Sequence, residues 1–188
     1  MNTVGPLRDK KQIEILKIYL KSKCLRDYLL FVMGINSNLR ISDLLSLKVD
    51  DVWTGKKCKE YISLKEKKTS KFKKVMINES IVKAIKEYVK ETKPQQTDFI
   101  FISRNGGNRA ISRQQACNVL KNAGDYCGLE ESVSPHTLRK TWGFWAWKSG
   151  VSLILIMEAL NHSSLSITKR YLGIIQEDLD NVYINLNL

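Results

Sequence analysis

The sequence predicts an α+β fold that is mainly α, with one small antiparallel β-sheet. Its 188 residues fit a single domain, and an apolar share of 43% is enough to build a core. Apolar residues recur at helical spacing along most of the chain. One segment, residues 60–78 ("EYISLKEKKTSKFKKVMIN"), instead has two β-rich ends around a lysine-dense middle, which is typical of a hairpin.

The part of the chain before the hairpin is predicted to be helical. A first helix is expected over residues 9–21, and "RDYLLFVMGI" (26–35) predicts a second, largely buried helix. "NSN" (36–38) breaks that pattern. "RISDLLSL" then predicts a short helix, with Ser42 as the candidate N-cap and Asp43 in its first turn.

The segment after the hairpin alternates between helix and loop. Apolar spacing predicts a helix over residues 79–91, and "FIFIS" (99–103) is expected to be a short strand or an extended piece. Ser112 can cap a helix that runs to about Cys127.

Residues 134–150 carry clear helix boundaries. Ser134 suits the N-cap, Pro135 suits the first helical position, and Gly150 lies just past the end. The apolar face of this helix is expected to consist of Leu138, Trp142, Trp145 and Ala146.

The last part of the chain predicts short helices. "LILIMEAL" (153–160) should stop at Asn161, a residue type that tolerates a left-handed C-cap. Ser163 or Ser164 can cap the next helix, which carries Tyr171. The tail after that helix has apolar residues on roughly one side: Ile174, Ile175, Leu179, Val182 and Leu186.

The charge of the chain indicates a polyanionic partner. The formal net charge is +12 and the isoelectric point is about 9.5, which favours nucleic acid or an anionic membrane surface. No apolar run approaches the roughly 18–20 residues that a membrane span needs, and the N-terminus lacks the apolar region of a secretory signal. The four cysteines form no C-x-x-C pair, so reduced thiols of a cytosolic protein are expected.

His136, Arg139 and Arg40 are candidate binding residues. His136 and Arg139 share a helix face at the predicted helix N-terminus, where backbone N–H groups and the helix dipole favour a phosphate. The alternative is a solvated polar face that contains a histidine. Arg40 stands between two helices, and a plain surface arginine or an ion pair with Asp43 would equally explain it.

Lys68, His162 and Tyr171 complete the candidates. The lysines between residues 65 and 74 can follow a nucleic-acid backbone, and Lys68 near the hairpin turn can reach into a site. Two helical turns span about 11 Å, so His162 and Tyr171 would have to converge through the fold, at a ligand between them. The alternative for Tyr171 is a buried tyrosine whose hydroxyl is satisfied.

Taken together, these residues resemble the active-site series of the tyrosine recombinases, the phage-integrase family. "NLRISDLLSL" looks like the first arginine box of that family and "HTLRKTWG" like its His-x-x-Arg box. "LNHSSLSITKRY" looks like the third box, in which a histidine precedes the nucleophilic tyrosine by nine residues. The resemblance runs from about Leu7 to the C-terminus, so the expected fold is that of the recombinase catalytic domain.

The sequence departs from the family pattern in three respects. Asn161 replaces the usual glycine before the third-box histidine, and we expect it to hold the same left-handed turn. Lys140 follows Arg139 where the family often has histidine. The N-terminal helical domain that clamps DNA in most members has no counterpart among residues 1–188, so the expectation is either a minimal enzyme or a piece of a longer one.

The resemblance implies cleavage and rejoining of double-stranded DNA through a 3′-phosphotyrosyl intermediate. Tyr171 would be the nucleophile, Arg40 and Arg139 would bind the scissile phosphate, and Lys68 would be the general acid. His136 would act as general base or phosphate support, and His162 would hydrogen-bond a non-bridging oxygen. The reaction requires neither a cofactor nor a metal ion, because the phosphotyrosine conserves the bond energy.

The resemblance also implies a setting and leaves alternatives open. A cytoplasmic enzyme at the bacterial nucleoid is expected, self-associating into a tetrameric synapse on DNA. Residues from about 174 to 188 would either pack in cis as the last core helix or be exchanged with a neighbouring protomer. The alternatives are a non-catalytic DNA-binding protein on the same fold and a type IB topoisomerase-like enzyme that relaxes DNA.

Overall fold

A computed structural model of the chain describes residues 4–186, and this range contains ten helices and one two-stranded sheet. The order is α1 (Lys10–Lys23), α2 (Leu25–Ser37), α3 (Ile41–Leu44), α4 (Val49–Val52), β1 (Tyr61–Lys65), β2 (Phe72–Met76), α5 (Glu79–Thr92), α6 (Arg113–Tyr126), α7 (Pro135–Lys148), α8 (Leu153–Leu160), α9 (Leu165–Leu172) and α10 (Gln176–Asn185). The prediction of a mainly α fold with a small antiparallel sheet is confirmed.

The junction between α2 and α3 differs from the prediction. Helix α2 continues to Ser37 and stops at Asn38, which adopts a left-handed conformation (φ 54°, ψ 22°). Ser42 is not the N-cap of the short helix, because Arg40 occupies that position with extended dihedral angles. The backbone carbonyl of Arg40 accepts the first helical hydrogen bonds, from Asp43 and Leu44. Arg40 is therefore the N-cap residue of α3.

Strands β1 and β2 form the predicted hairpin, with Tyr61 opposite Met76 and Lys65 opposite Phe72. Side chains alternate along β2, so Lys73 points inward whereas Phe72 and Lys74 are exposed. "FIFIS" is not a strand; Phe99 and Ile102 make only isolated bridges, to Lys48 and Ala110. Neither predicted form describes the whole segment, because Ile100 and Phe101 form a turn between the two bridge residues.

Helix α7 lies between two apolar clusters, which explains why the prediction of a single apolar face is wrong. Its N-cap is as predicted: the Ser134 hydroxyl accepts a hydrogen bond from the Thr137 amide. Leu138 packs in a cluster with α1 and α6, while Trp142 and Ala146 pack in another with α8 and α9. Because both sides are covered, Arg139, one turn into the helix, is buried as well.

Helices α2 and α7 approach closely at Gly34. A Cβ atom on this residue would lie 2.4 Å from Leu138 Cδ1 and 3.2 Å from Leu138 Cβ. We expect Gly34→Ala to destabilise the protein by about 1–3 kcal/mol, the cost of overpacking a well-filled core. Helix propensity alone would give the opposite sign, about 1 kcal/mol in favour of alanine. Urea unfolding distinguishes the two, and an equally or more stable variant would contradict the close packing.

The turn after α8 confirms the expectation for Asn161, which caps α8 in the left-handed region (φ 55°, ψ 47°). Of the two serines proposed as the cap of α9, Ser164 accepts a hydrogen bond from the Ile167 amide. Helix α9 ends at Gly173, also left-handed (φ 65°). His162 therefore lies in the turn before α9, and Tyr171 lies in the last turn of that helix.

Asp178 connects the tail helix α10 to α7 and to the N-terminal segment. This buried carboxylate accepts hydrogen bonds from the Ile175 amide (3.1 Å) and from Lys148 Nζ (3.0 Å), and it lies 3.7 Å from Arg8 Nη1. Of the apolar residues predicted to lie on one side of the tail, Ile175 and Leu186 are exposed, and the side chains of Leu179 and Val182 lie outside the described part, as do residues 187–188. In the described residues 4–186, no helix combines the length and apolar character needed to cross a membrane.

Candidate active site

The structure brings all six predicted site residues into one cleft. Its volume is about 470 Å³, and Arg40, Lys68, His136, Arg139, His162 and Tyr171 all line it. Arg113 contributes a further positive charge, and none of the described residues that line the cleft carries a carboxylate. A cleft with four permanent or near-permanent cations and no lining acid is suited to bind an anion.

Arg139 is the deepest of these cations. It is 6% exposed, and its Nη2 donates a hydrogen bond to the Leu160 carbonyl at 2.7 Å. Its Nη1 is buried without a hydrogen-bond partner among the described residues. A buried donor without a partner is costly, so Nη1 of Arg139 is suited to donate a hydrogen bond to an anionic oxygen.

His136 stands one turn before Arg139, at the second residue of α7, as predicted. Burial lowers the pKa of His136 below its usual value, and the positive charges of Arg113, Lys140, Arg139 and Lys68 lower it further. The imidazole is therefore neutral at pH 7 and can accept a proton.

Arg40 is held by Glu66 and not by Asp43, so the alternative of an ion pair with Asp43 does not apply. Arg40 Nη1 makes a short, charge-assisted hydrogen bond with Glu66 Oε1. The Glu66 carboxylate is 3% exposed and also accepts a hydrogen bond from Thr69 Oγ1 at 2.6 Å. Burial alone would raise the pKa of Glu66, but the hydrogen bonds from Thr69 and Arg40 and the charges of Arg40 and Lys73 bring it below its usual value.

Lys68 lies in the turn of the hairpin and is exposed. The turn is fixed from both sides of Lys68. The Lys67 amide donates to Asp43 Oδ1 at 3.0 Å, and the Ser70 amide donates to the Glu66 carbonyl at 2.9 Å. Asp43, which we expected in the first turn of a short helix, thus connects the first arginine segment to the turn that carries Lys68.

Lys73 is a lysine with its own set of buried contacts, which its position in the sequence does not distinguish from the neighbouring lysines. Its Nζ donates to the carbonyls of Asn38 (3.2 Å) and Ala159 (3.1 Å) and lies 3.8 Å from Glu66 Oε1. Burial lowers the pKa of Lys73 to about 8; the charges of Arg139 and Arg40 act in the same direction, and those of Glu66 and Asp43 oppose it. Lys73 thereby ties the hairpin to the ends of α2 and α8.

His162 and Tyr171 meet directly, without the intervening ligand that we expected. Their ring centroids are 4.9 Å apart in an edge-to-face arrangement. Burial raises the pKa of the Tyr171 phenol, although the charge of Arg139 lowers it in part. The phenol is therefore neutral at pH 7, and it needs a base to become a nucleophile.

Two of the three departures from the family pattern, at Asn161 and Lys140, have structural consequences. The side-chain oxygen of Asn161 accepts a hydrogen bond from Lys71 Nζ at 3.3 Å, a contact that a glycine at this position could not make. Lys140 does not line the cleft; its Nζ donates to the Val4 carbonyl at 2.8 Å and lies 5.4 Å from the Tyr171 ring centroid. The N-terminal segment therefore packs against the rear of the site.

Glu66 could have been noticed in the sequence, because it is the single acidic residue among six lysines between residues 65 and 74.

We expect Glu66→Ala to destabilise the protein by about 3 kcal/mol, because it leaves Arg40 and Lys73 partly buried without their counter-charge. Urea unfolding measures the loss. The matched control is Glu60→Ala at an exposed position before β1, which should change stability by less than about 0.5 kcal/mol. Equal effects in the two variants would contradict the role of Glu66.

Comparisons with known proteins show the family to which the chain belongs. The model of a family described as the phage integrase family matches residues 7–177. A relative from Bacillus subtilis (strain 168), the probable integrase/recombinase YoeC, is 43% identical over 174 residues, covering 93% of this chain and 92% of the relative. The tyrosine recombinase XerD of Corynebacterium glutamicum is 31% identical over 163 residues, which are 85% of this chain and 52% of XerD. The chain thus spans about half the length of that relative.

Solved structures show the same fold. A crystal structure of the XerA recombinase matches with a TM-score of 0.79 at 20% identity, covering 100% of this chain and 66% of that one. A crystal structure of the XerH site-specific recombinase, bound to palindromic difH substrate in a post-cleavage complex, matches with a TM-score of 0.73 at 21% identity. It covers 97% of this chain and 53% of XerH. The prediction of a recombinase catalytic-domain fold is confirmed.

Proposed function

From the premise that the chain belongs to the phage integrase family and is a tyrosine recombinase, we propose that it cleaves and rejoins double-stranded DNA with the six residues of the cleft. Tyr171 attacks the scissile phosphodiester, forms a 3′-phosphotyrosyl bond and releases a 5′-hydroxyl. The observation that carries the proposal is the buried Nη1 of Arg139, a donor without a partner in the described part of the chain, in the cleft that Tyr171 lines.

Arg40 and Arg139 supply the charge stabilisation. The attack of the phenol places extra negative charge on the non-bridging phosphoryl oxygens. Guanidinium groups suit these oxygens, because they are permanently charged and donate two hydrogen bonds in a fixed fork. Arg139 is fixed by Leu160 and Arg40 by Glu66, so both are positioned before DNA binds.

The protons are handled by three further residues. His136, neutral because of its lowered pKa, takes the proton of Tyr171 or supports the phosphate. Lys68 donates a proton to the leaving 5′-oxygen, and its exposed position on a hairpin turn allows it to reach the DNA. His162 hydrogen-bonds a non-bridging oxygen.

The partner in this proposal is double-stranded DNA, on which copies of the protein assemble into a tetrameric synapse. Such an enzyme works in the cytoplasm, at the nucleoid. Exposed Tyr183 and Ile184 on α10 are consistent with a tail that is exchanged between protomers.

Because several lysines and arginines contact phosphates in this proposal, the affinity for DNA should fall steeply with salt. The expected loss of affinity is about 10³-fold or more between 50 and 200 mM salt if six or more phosphates are neutralised.

A nicked suicide substrate tests the cleavage proposal. The nick lets a short 5′-hydroxyl fragment diffuse away after cleavage, so that the protein–DNA adduct accumulates and withstands SDS. We expect this adduct to form in the presence of EDTA on DNA sites that the protein binds sequence-specifically. Binding without any adduct on such sites would favour the alternative, a non-catalytic DNA-binding protein.

A second assay separates recombination from relaxation. Two cognate sites on one plasmid should yield recombinant products, whereas a type IB topoisomerase-like enzyme would relax a supercoiled plasmid that carries a single site or none. Relaxation that does not depend on a site, without recombinants, would replace the recombinase proposal with the topoisomerase alternative.

A further inference from the structure

We propose that Thr168 is a positioning residue that fixes the neutral His162 ring as the Nδ1–H tautomer, which leaves Nε2 as the proton acceptor in the cleft. The inference deepens the proposed function, because the role of His162 toward a phosphate rests on that function. It is carried by the juxtaposition of His162, Thr168 and the Ser164 carbonyl.

Thr168 lies on α9 between the helix start and Tyr171, and it is completely buried. Its Oγ1 is 3.2 Å from His162 Nδ1. The same oxygen is 3.1 Å from the Ser164 carbonyl oxygen, one helical turn earlier. The hydroxyl is thus placed between an imidazole nitrogen and a carbonyl.

The number of available protons decides the direction of these hydrogen bonds. A threonine hydroxyl has one hydrogen, and a carbonyl oxygen can only accept. The hydroxyl of Thr168 therefore donates to Ser164, and its oxygen accepts from His162. His162 Nδ1 must then carry the hydrogen. A neutral imidazole has only one N–H, so Nε2 keeps its lone pair.

The neutral form is the relevant one in the free protein. Burial lowers the pKa of His162, and the positive charges of Arg139 and Arg40 lower it further. The ring lines the cleft, with Nδ1 turned to the buried Thr168, so Nε2 is the nitrogen left for the cleft. In the described part of the chain, the contact with Thr168 is the one hydrogen bond of this ring.

This arrangement has a chemical consequence. A phosphate oxygen only accepts hydrogen bonds, so the neutral ring cannot donate to it from Nε2. When Nε2 takes up a proton, the imidazolium donates from both nitrogens: Nδ1 keeps its bond to Thr168, and Nε2 bonds the phosphate. Thr168 thereby ensures that proton uptake occurs at the nitrogen that faces the cleft.

The chain offers a direct test because it contains only two histidines. In the free protein with ¹⁵N-labelled histidine, long-range ¹H–¹⁵N spectra at a pH where both rings are neutral report the tautomer of each, and His136→Asn assigns the signals. We expect a pyrrole-like Nδ1 and a pyridine-like Nε2 for His162. Thr168→Val, which keeps the shape but not the hydroxyl, should mix the two tautomers, and Thr168→Ser should restore the first.

An Nε2–H tautomer in the unmodified protein, or an unchanged tautomer in Thr168→Val, would overturn the proposal.

A second test uses a DNA site that the unmodified enzyme cleaves. Thr168→Val should slow adduct formation by about 10²-fold, the lower end of what a positioned acid–base group contributes. Thr168→Ser should recover the rate. Slow cleavage in both variants would indicate a packing role and overturn it too. The NMR measurement of the tautomer uses no DNA. A failure of the proposed function, which would appear as no adduct on any site, is therefore distinguished from a failure of this inference.

Discussion

Replacing Tyr171 with phenylalanine is expected to abolish the covalent protein–DNA adduct while leaving DNA binding intact. Phenylalanine keeps the ring that makes the edge contact with His162 and removes only the hydroxyl oxygen that would bond to phosphorus. Without that oxygen no phosphotyrosyl bond can form, whatever the other five residues contribute. Denaturing electrophoresis of the suicide-substrate reaction measures the adduct, and a gel-shift assay measures binding.

The matched control for this prediction is Tyr126→Phe, at an exposed tyrosine that ends α6 and does not line the cleft. It should form the adduct at the rate of the unmodified protein. An adduct that persists in Tyr171→Phe, or that disappears in Tyr126→Phe alone, would assign the nucleophile to another residue.

Replacing Arg139 with lysine is expected to lower the cleavage rate by about 10²–10³-fold, the usual effect of removing one pre-positioned donor to a developing oxyanion. The charge remains, but lysine has one nitrogen where arginine uses two. Arg139 Nη2 bonds the Leu160 carbonyl and Nη1 is left for the ligand. A single ammonium cannot occupy both positions. Single-turnover adduct formation at saturating protein measures the chemical step separately from binding.

Arg170→Lys is the control for Arg139→Lys, because Arg170 is exposed on α9, one residue from Tyr171. It should change the single-turnover rate by less than about threefold, because its side chain is not among those that line the cleft. A loss in Arg139→Lys that disappears when protein is added to saturation would mean that Arg139 serves binding only. That result would contradict its role in the chemical step.

The sequence predicted the helices well wherever the residues at their ends determine them. Ser112, Ser134 and Asn161 act at the predicted helix ends, because a cap depends on the side chain and backbone of a few adjacent residues. The prediction failed at Ser42, because the helix starts at Arg40 instead. Leu39 and Leu44, on either side of that start, are both buried. It also failed for the single apolar face of α7, because a sequence does not show that a helix will be covered on two sides.

The candidate site was predicted residue by residue, but the contacts around it were not. Arg40, Lys68, His136, Arg139, His162 and Tyr171 were selected from their types and spacing, and the structure places all six in one cleft. Spacing along helix α9 suggested that His162 and Tyr171 would need a ligand between them. The left-handed turn at Asn161 instead folds the His162 ring back onto the helix, where it meets the Tyr171 ring.

The sequence by itself determined the identity of the reactive groups, since a phenol, two histidines, two arginines and a lysine keep their chemistry in any fold. Only the tertiary structure decided their states. The Glu66 carboxylate that holds Arg40, the pKa of about 8 at Lys73 and the unpartnered Nη1 of Arg139 all come from burial beside residues distant in the chain. Desolvation and charge–charge interactions depend on distance in space, and the linear order of residues does not contain that distance.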